Sequence, residues 1–167
     1  MSKTSYKITK PSKTLLFATI LAALSFLVFP VGAMAGVEGL WLSKKKDTVI
    51  LIERCDTGIC GYIHWIHPEV MQKDSRNPNP EKRDRPLCGV KVLWGFEKPD
   101  NEGEAWKNGH IYKADDGEFY RARVEVEKDG RLALRGYIGV PFLGKTARFT
   151  PTDNETYPSC KRSIARM

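Results

Sequence analysis

"GHIYKADDGEFYRARVEVEKDGRLALRGYIGV", from Gly109 to Val140, carries the clearest fold signal of the chain. Two turn signals divide it, Asp115-Asp116-Gly117 and Lys128-Asp129-Gly130, and the second contains the Asp-Gly pair typical of a β-hairpin. Between the turns, apolar side chains alternate with charged ones: Tyr120, Ala122, Val124 and Val126 against Arg121, Arg123, Glu125 and Glu127. Successive side chains of a strand point to opposite faces, so the stretch predicts antiparallel strands with one buried face, continued by Leu132, Leu134 and Gly136.

The remaining chain carries further strand signals. "DTVILIE" (residues 47–53) and "GYIHWI" (residues 61–66) are rich in β-branched and aromatic residues, and "KTARFTP" (residues 145–151) follows as a last strand. In "GVKVLWGF", the alternation predicts one shared face for Val90, Val92, Trp94 and Phe96. No segment shows sustained helical periodicity. Seven or eight antiparallel strands joined by short turns predict an all-β protein, either an up-and-down barrel or a sandwich.

The N-terminal segment has the pattern of a secretory signal peptide. Four lysines and no acidic residue precede an apolar stretch from Leu15 to Val31, and Ala33-Met34-Ala35 supplies a small-x-small ending. We expect residues 1–35 to be a signal peptide cut near Ala35, and residues 36–167 to be a single domain of periplasmic or secreted location. The alternative is an uncleaved membrane anchor, for which the apolar stretch is short. After cleavage no membrane-spanning segment is expected.

Charge and composition limit the partners. Four of the 27 basic residues and none of the 20 acidic ones lie in residues 1–35, so the remainder carries a net charge of +3. That charge supports weak attraction to anionic polymers of the cell envelope but does not indicate nucleic-acid binding. No cofactor is expected, and no sequence feature defines an oligomeric state.

The four cysteines all lie after the expected cleavage site, as in proteins of oxidising compartments. Cys55 and Cys60 flank a four-residue tip between two strand signals, so a hairpin would place them opposite each other. Cys88 and Cys160 are then left as a long-range pair that would tie the C-terminal tail to the body. The alternatives are free thiols or a single bridge. Neither spacing is typical of a metal site, and His64 and His67, three apart on a strand, would point to opposite faces.

A long polar connection, "KDSRNPNPEKRDRPLCG" (residues 73–89), separates two strand signals. Pro78 and Pro80 restrict the backbone, and Asp74, Asn77 and Asn79 can close Asx-turns, so we expect one ordered conformation rather than disorder. Arg83 and Arg85 carry fork-shaped donors that grip carboxylates, carbonyls or phosphates. Two interpretations stay open: an ordered cover in which Asp74 pairs internally with Arg83 or Arg85, or a cover that presents the arginines, with Arg135 as a third, to an anionic ligand group.

These pieces together resemble one family, the secreted domain of unknown function DUF2147. The matching parts are Gly39-x-Trp41, "CGYIHWI", Asp74 with "NPNPEKRDRPLCGV", "WKNGHIYKADDGEFYRA" and "LALRGYIGVPFLGKTARFTP", between Gly36 and Pro151. The chain departs from the family pattern at Lys113-Ala114 and at Phe149. The resemblance implies a lipocalin-like (calycin) up-and-down barrel of about eight strands with one long ordered loop, no established activity, and a structural role for Trp41 at the closed end.

An eight-stranded barrel has room inside for packed side chains or for one small ligand. We expect Trp65, Tyr112 and Tyr120 to border such a ligand, with Arg83, Arg85 and Arg135 at the mouth. The first hypothesis is therefore a non-enzymatic binder of a small apolar or amphipathic molecule or envelope component. The second is an interaction protein with a filled core that docks a protein partner through its surface. A hydrolase or isomerase is third, because no nucleophile elbow, phosphate loop or zinc motif is present.

Overall fold

The computed structural model describes residues 36–56, 58–101 and 103–161. It contains eight strands and two short 3-10 turns, Pro80–Lys82 and Pro141–Leu143. The strands are β1 (Gly39–Ser43), β2 (Thr48–Cys55), β3 (Gly58–Ile66), β4 (Lys91–Trp94), β5 (Trp106–Lys113), β6 (Glu118–Val126), β7 (Leu132–Tyr137) and β8 (Lys145–Thr152). The expected signal peptide, residues 1–35, lies outside the described residues. Within the described residues, no helix is long and apolar enough to cross a membrane.

The strands form a closed antiparallel barrel in sequence order, and β8 pairs with β1 to complete it. This confirms the predicted up-and-down barrel and excludes the sandwich. Neighbouring strands run in opposite directions, so every second connection leaves from the same end of the barrel. We call the end with the β1–β2, β3–β4, β5–β6 and β7–β8 connections the loop end. The β2–β3, β4–β5 and β6–β7 connections lie at the opposite end.

The barrel interior follows the predicted alternation in β6 and β7. Ala122, Val124, Leu132 and Leu134 are all buried in the core, and Val124 pairs directly with Leu134. Trp41 closes the interior from β1: its side chain is 2% exposed, and its indole Nε1 donates to the Val37 carbonyl at 2.8 Å. Burial of these side chains supplies most of the driving force for the fold.

In β4, Val92 and Trp94 share one face as the alternation predicts, but that face points away from the barrel interior. Leu93 faces the interior instead: it is fully buried, pairs with Gly61 and Ile111, and would collide with a side chain placed at Gly61. Trp94 therefore points outward, where its ring stacks on that of His110 with centroids 5.8 Å apart. The strand is only four residues long, and both of its faces carry apolar residues, so alternation there does not show which face is the inner one.

Both disulfides are present. Cys55–Cys60 closes the β2–β3 hairpin with its Cα atoms 5.8 Å apart. Cys88–Cys160 joins the end of the β3–β4 connection to the C-terminal tail, with Cα atoms 5.9 Å apart. No free cysteine is found among the described residues.

Candidate functional site

The β3–β4 connection is built around one buried carboxylate. Asp74 is fully buried, and Arg85 approaches its Oδ2 with Nη2 at 2.7 Å and with Nε at 2.9 Å. Asn77 Nδ2 donates to the same oxygen at 2.7 Å, and the Tyr112 hydroxyl donates to Oδ1. A buried charge is costly unless it is paired and hydrogen-bonded, and here both carboxylate oxygens are satisfied.

Tyr112 joins this network to the barrel, because it belongs to β5 and its ring is buried. Burial raises the pKa of the Tyr112 phenol to about 12, and the hydrogen bond to the Asp74 carboxylate and its charge act in the same direction. Ionisation would place a second negative charge beside the first. Tyr112 is therefore a neutral donor that anchors the connection.

The predicted Asx-turns hold the middle of the connection. Asn77 Oδ1 accepts from the Asn79 amide at 2.9 Å, and Asn79 Oδ1 accepts from the Glu81 amide at 3.0 Å, which caps the 3-10 turn that Pro80 begins. Pro78 lies exposed between the two asparagines. Arg83 Nε donates to the Asn77 carbonyl at 2.9 Å. Arg83 and Arg85 thus make internal contacts, as in the first of the two interpretations.

The β3–β4 connection also packs against the turn of the β5–β6 hairpin. Arg76 Nη1 donates to the Asp115 carbonyl. Gly117, with φ of +77°, packs so closely that a Cβ there would collide with the Arg76 carbonyl. The Asp-Asp-Gly turn is consequently a docking point for the connection as well as a reversal of the chain.

Trp65 lies on the outside of the barrel, against the C-terminal tail. Its ring meets that of Tyr157 at 4.9 Å between centroids, and the neighbouring His64 Nε2 lies 3.1 Å from the Asn154 side chain. The cause is a β-bulge: Ile50 pairs with Ile63, but Val49 pairs with Trp65, so β3 carries one extra residue. Strict alternation from Ile63 would have placed Trp65 inside.

Tyr120 and Arg135 also lie apart from the Asp74 network. Tyr120 is half-buried and faces the interior, and its hydroxyl donates to Asp116 Oδ2 at 3.0 Å. Arg135 holds the β7–β8 connection: Nε donates to the Pro141 carbonyl at 2.6 Å, Nη2 to the Phe142 carbonyl at 2.9 Å, and Nη1 to Thr146 Oγ1 at 2.8 Å. The six expected ligand-contacting residues therefore do not surround one cavity, and their role in binding stays a prediction.

The interior itself is open near the loop end. Strand β8 has no fully buried residue. Ala147 pairs with the core residue Leu134, and Lys145 pairs with Gly136, so both side chains lie on the inner face. Both are nevertheless exposed to solvent, and Gly136 is half-buried. A side chain added at Gly136 would meet Ile111 and Tyr120 at an ordinary 3.7 Å. Ile111, Tyr120, Gly136, Lys145 and Ala147 thus lie on the inner face near the loop end and are partly or fully exposed, and we call this set of residues the mouth.

Two surface grooves lie at the opposite end and are unrelated to the mouth. One, of about 540 Å³, follows the β6–β7 turn and is lined by charged residues such as Glu127, Arg131 and Arg148. The other, of about 290 Å³, lies beside the Cys55–Cys60 hairpin and includes Arg54 and Lys98. Ion pairs such as Arg148–Glu127 hold the first groove together and lower the pKa of the Glu127 carboxyl. Among the described residues, no group of three potential ligands is placed to hold a metal ion.

The β7–β8 connection was not predicted as a candidate site from the sequence. Ile138, Val140, Phe142 and Leu143 are between 52% and 79% exposed. "GYIGVPFLGK" does contain a signal, since its apolar residues are interrupted by two glycines and a proline and cannot continue a strand. The prediction placed "GYIGV" with the strands instead.

The closed antiparallel barrel of eight strands in sequence order defines the class: a lipocalin-like β-barrel. The chain matches the model of the DUF2147 family, described as an uncharacterized protein conserved in bacteria, over residues 39–151, and belongs to that family. The predicted resemblance is thereby confirmed. No curated protein matches the chain.

A solved structure supports the same architecture. The chain is similar to protein HP1028 from the human pathogen Helicobacter pylori, which is described as belonging to the lipocalin family. The match has a TM-score of 0.62 at 24% identity and covers 71% of this chain and 84% of that one. At that identity the likeness shows the fold.

Proposed function

We propose that this protein is a non-enzymatic binder of a small amphipathic molecule, held at the mouth of the barrel. The observation that carries the proposal is the exposure of inward-facing Lys145 and Ala147 next to half-buried Gly136. Apolar contact would come from Ile111 and the ring of Tyr120, and an anionic head group would pair with the Lys145 ammonium. Ligand sites of this kind are mostly apolar with a few convergent polar groups.

The proposal also covers the cellular location of the protein. We place the protein in the periplasm or outside the cell after removal of residues 1–35. The two disulfides support this location, because such bonds persist in oxidising environments.

Titration with a dansyl-labelled undecanoic acid tests the proposal, because the probe's emission rises when it leaves water. We expect saturable binding in the micromolar range. Ala147→Trp fills the mouth and should abolish it, whereas Thr150→Trp, on the exposed outer face of the same strand, should not. Lys145→Gln should weaken binding of the acid several-fold but leave a neutral methyl ester of the probe unaffected.

Absence of saturable binding, or equal binding by the Ala147→Trp variant, would contradict the proposal. Either result would favour the interaction protein with a filled core, whose partner would be sought by crosslinking in the periplasm.

A further inference from the structure

An apolar surface stands at the loop end of the barrel. Ile138 is 75% exposed, Val140 52%, Phe142 79% and Leu143 68%. All four belong to residues 138–144, the β7–β8 connection. Contiguous exposed apolar surface in a folded protein marks a site of interaction with a protein or a membrane.

The connection is held in one conformation. The Leu143 amide donates to the Val140 carbonyl at 3.2 Å, and the Gly144 amide donates to the Pro141 carbonyl at 3.0 Å, which closes the 3-10 turn. Arg135 donates to the Pro141 and Phe142 carbonyls, so the carbonyls of Val140, Pro141 and Phe142 all accept hydrogen bonds within the protein. The apolar side chains of this turn can therefore enter an apolar phase with these three carbonyls already bonded and with little further loss of chain entropy.

A basic turn lies at the same end of the barrel as the apolar surface. Lys44, Lys45 and Lys46 occupy the β1–β2 connection and are all exposed. Strand β1 pairs with β8 in the antiparallel sense, so this turn and the β7–β8 connection leave from the same end of neighbouring strands. None of these three lysines, and not Lys145 either, forms an ion pair with another described residue. The nearby Asp47 carboxylate already accepts from the Ser43 hydroxyl at 2.6 Å.

We propose that this surface docks the barrel onto an anionic phospholipid bilayer. The apolar side chains of residues 138–143 enter the boundary between head groups and acyl chains, while Lys44, Lys45 and Lys46 lie over the lipid phosphates. The composition favours lipid over protein. Protein interfaces are rich in Trp, Tyr and Arg and poor in Lys, whereas this surface presents aliphatic residues, one Phe and free lysines. The docking goes beyond the proposed ligand binding and does not depend on it.

Vesicle sedimentation tests the docking. Residues 36–167 contain the closed barrel, its core and both disulfides, so this form is used without the apolar N-terminal segment. We expect it to sediment with vesicles of equal phosphatidylglycerol and phosphatidylcholine, and far less with phosphatidylcholine alone. Binding should weaken between about 0.05 and about 0.5 M salt, because the screening length shortens.

Two variants separate the apolar and ionic contributions. Phe142→Ser/Leu143→Ser should lower the partition coefficient by about tenfold or more, since two inserted side chains are lost. Lys44→Gln/Lys45→Gln should lower it by roughly tenfold or more on the mixed vesicles only. The matched control, Lys98→Gln/Lys128→Gln, removes the same charge from the opposite end and should bind as the native protein does. All variants must keep the native melting temperature.

The proposal is overturned if both variants sediment like the native protein, or if neutral and anionic vesicles bind it equally. It is also overturned if residues 36–167 form a stable dimer that Phe142→Ser/Leu143→Ser dissociates, because a second copy would then cover the surface. None of these results depends on the dansyl probe, so failure of docking and failure of ligand binding remain distinguishable.

Discussion

Two connections at the loop end differ in solvent exposure in the opposite sense to what their compositions suggest. Residues 67–90 are rich in charge and proline, yet they fold into a fixed cover with a fully buried carboxylate at Asp74. Residues 138–144 are mostly apolar, yet Phe142 and Leu143 face solvent. Composition alone would have exposed the first and buried the second.

The difference shows that the hydrogen-bond partners of a residue, and not its polarity alone, decide whether its side chain is buried. Asp74 can be buried because Arg85, Asn77 and Tyr112 satisfy its oxygens. Phe142 lies outside because Arg135 fixes its backbone in a turn that points away from the core. A buried polar group with all its bonds made is tolerated, and an exposed apolar one persists where function or geometry requires it.

Among variants of these two connections, Asp74→Ala is expected to change stability most. We expect a loss of roughly 3–5 kcal/mol in the free energy of unfolding, because Arg85, Asn77 and Tyr112 lose their common acceptor. Urea denaturation measures it. Asp84→Ala is the control in the same connection: its side chain is 94% exposed and pairs with the exposed Lys73, so a change within about 0.5 kcal/mol is expected. Equal losses would show that the network adds no stability.

The second-largest loss of stability is expected on removal of the Cys88–Cys160 bridge. The double Ser variant opens a link across 72 residues and should cost about 2–4 kcal/mol, against about 2 kcal/mol for the five-residue Cys55–Cys60 link. It should also free the tail from Trp65, which near-ultraviolet circular dichroism would detect. An unchanged Trp65–Tyr157 signal would mean that the tail packs without its covalent tie.

Alkaline titration tests the anchoring role of Tyr112. The raised phenol pKa means that the folded protein keeps the proton between pH 10, where the unfolded chain loses it, and about 12. The stabilisation is therefore complete below pH 10 and is lost as the pH rises towards 12. We expect an excess loss of about 2 kcal/mol over this range relative to Tyr112→Phe. Parallel pH curves for the two proteins would contradict the assignment.

The smallest effect is expected in the β7–β8 connection. Phe142→Ser/Leu143→Ser should change the free energy of unfolding by no more than about 0.5 kcal/mol, since both side chains are already in water. Leu87→Ala, which truncates a buried residue of the polar connection, should cost about 2–4 kcal/mol. A large loss in the first variant would mean that these side chains pack against the body of the protein.

Sequence-based prediction succeeded where the signal is local and repeated. The alternation around Val124 and Leu134 predicted the strands and their inner face, and the Asx chemistry of Asn77 and Asn79 predicted an ordered connection. It did not locate Trp65, because one extra residue in β3 reverses the orientation of the side chains after the bulge. A bulge depends on pairing with the neighbouring strand, which alternation within one strand cannot show.

Most of the strands, the long polar connection and the family can be predicted from the amino-acid sequence alone. Strand periodicity, turn residues and the signature beginning at Asp74 are local properties of the chain. Three other features depend on the folded barrel. Arg85 rather than Arg83 pairs with Asp74, Lys145 and Ala147 lie exposed on the inner face, and the basic and apolar connections leave from the same end. Closing the barrel brings β8 beside β1, and such distant pairings depend on register rather than on composition.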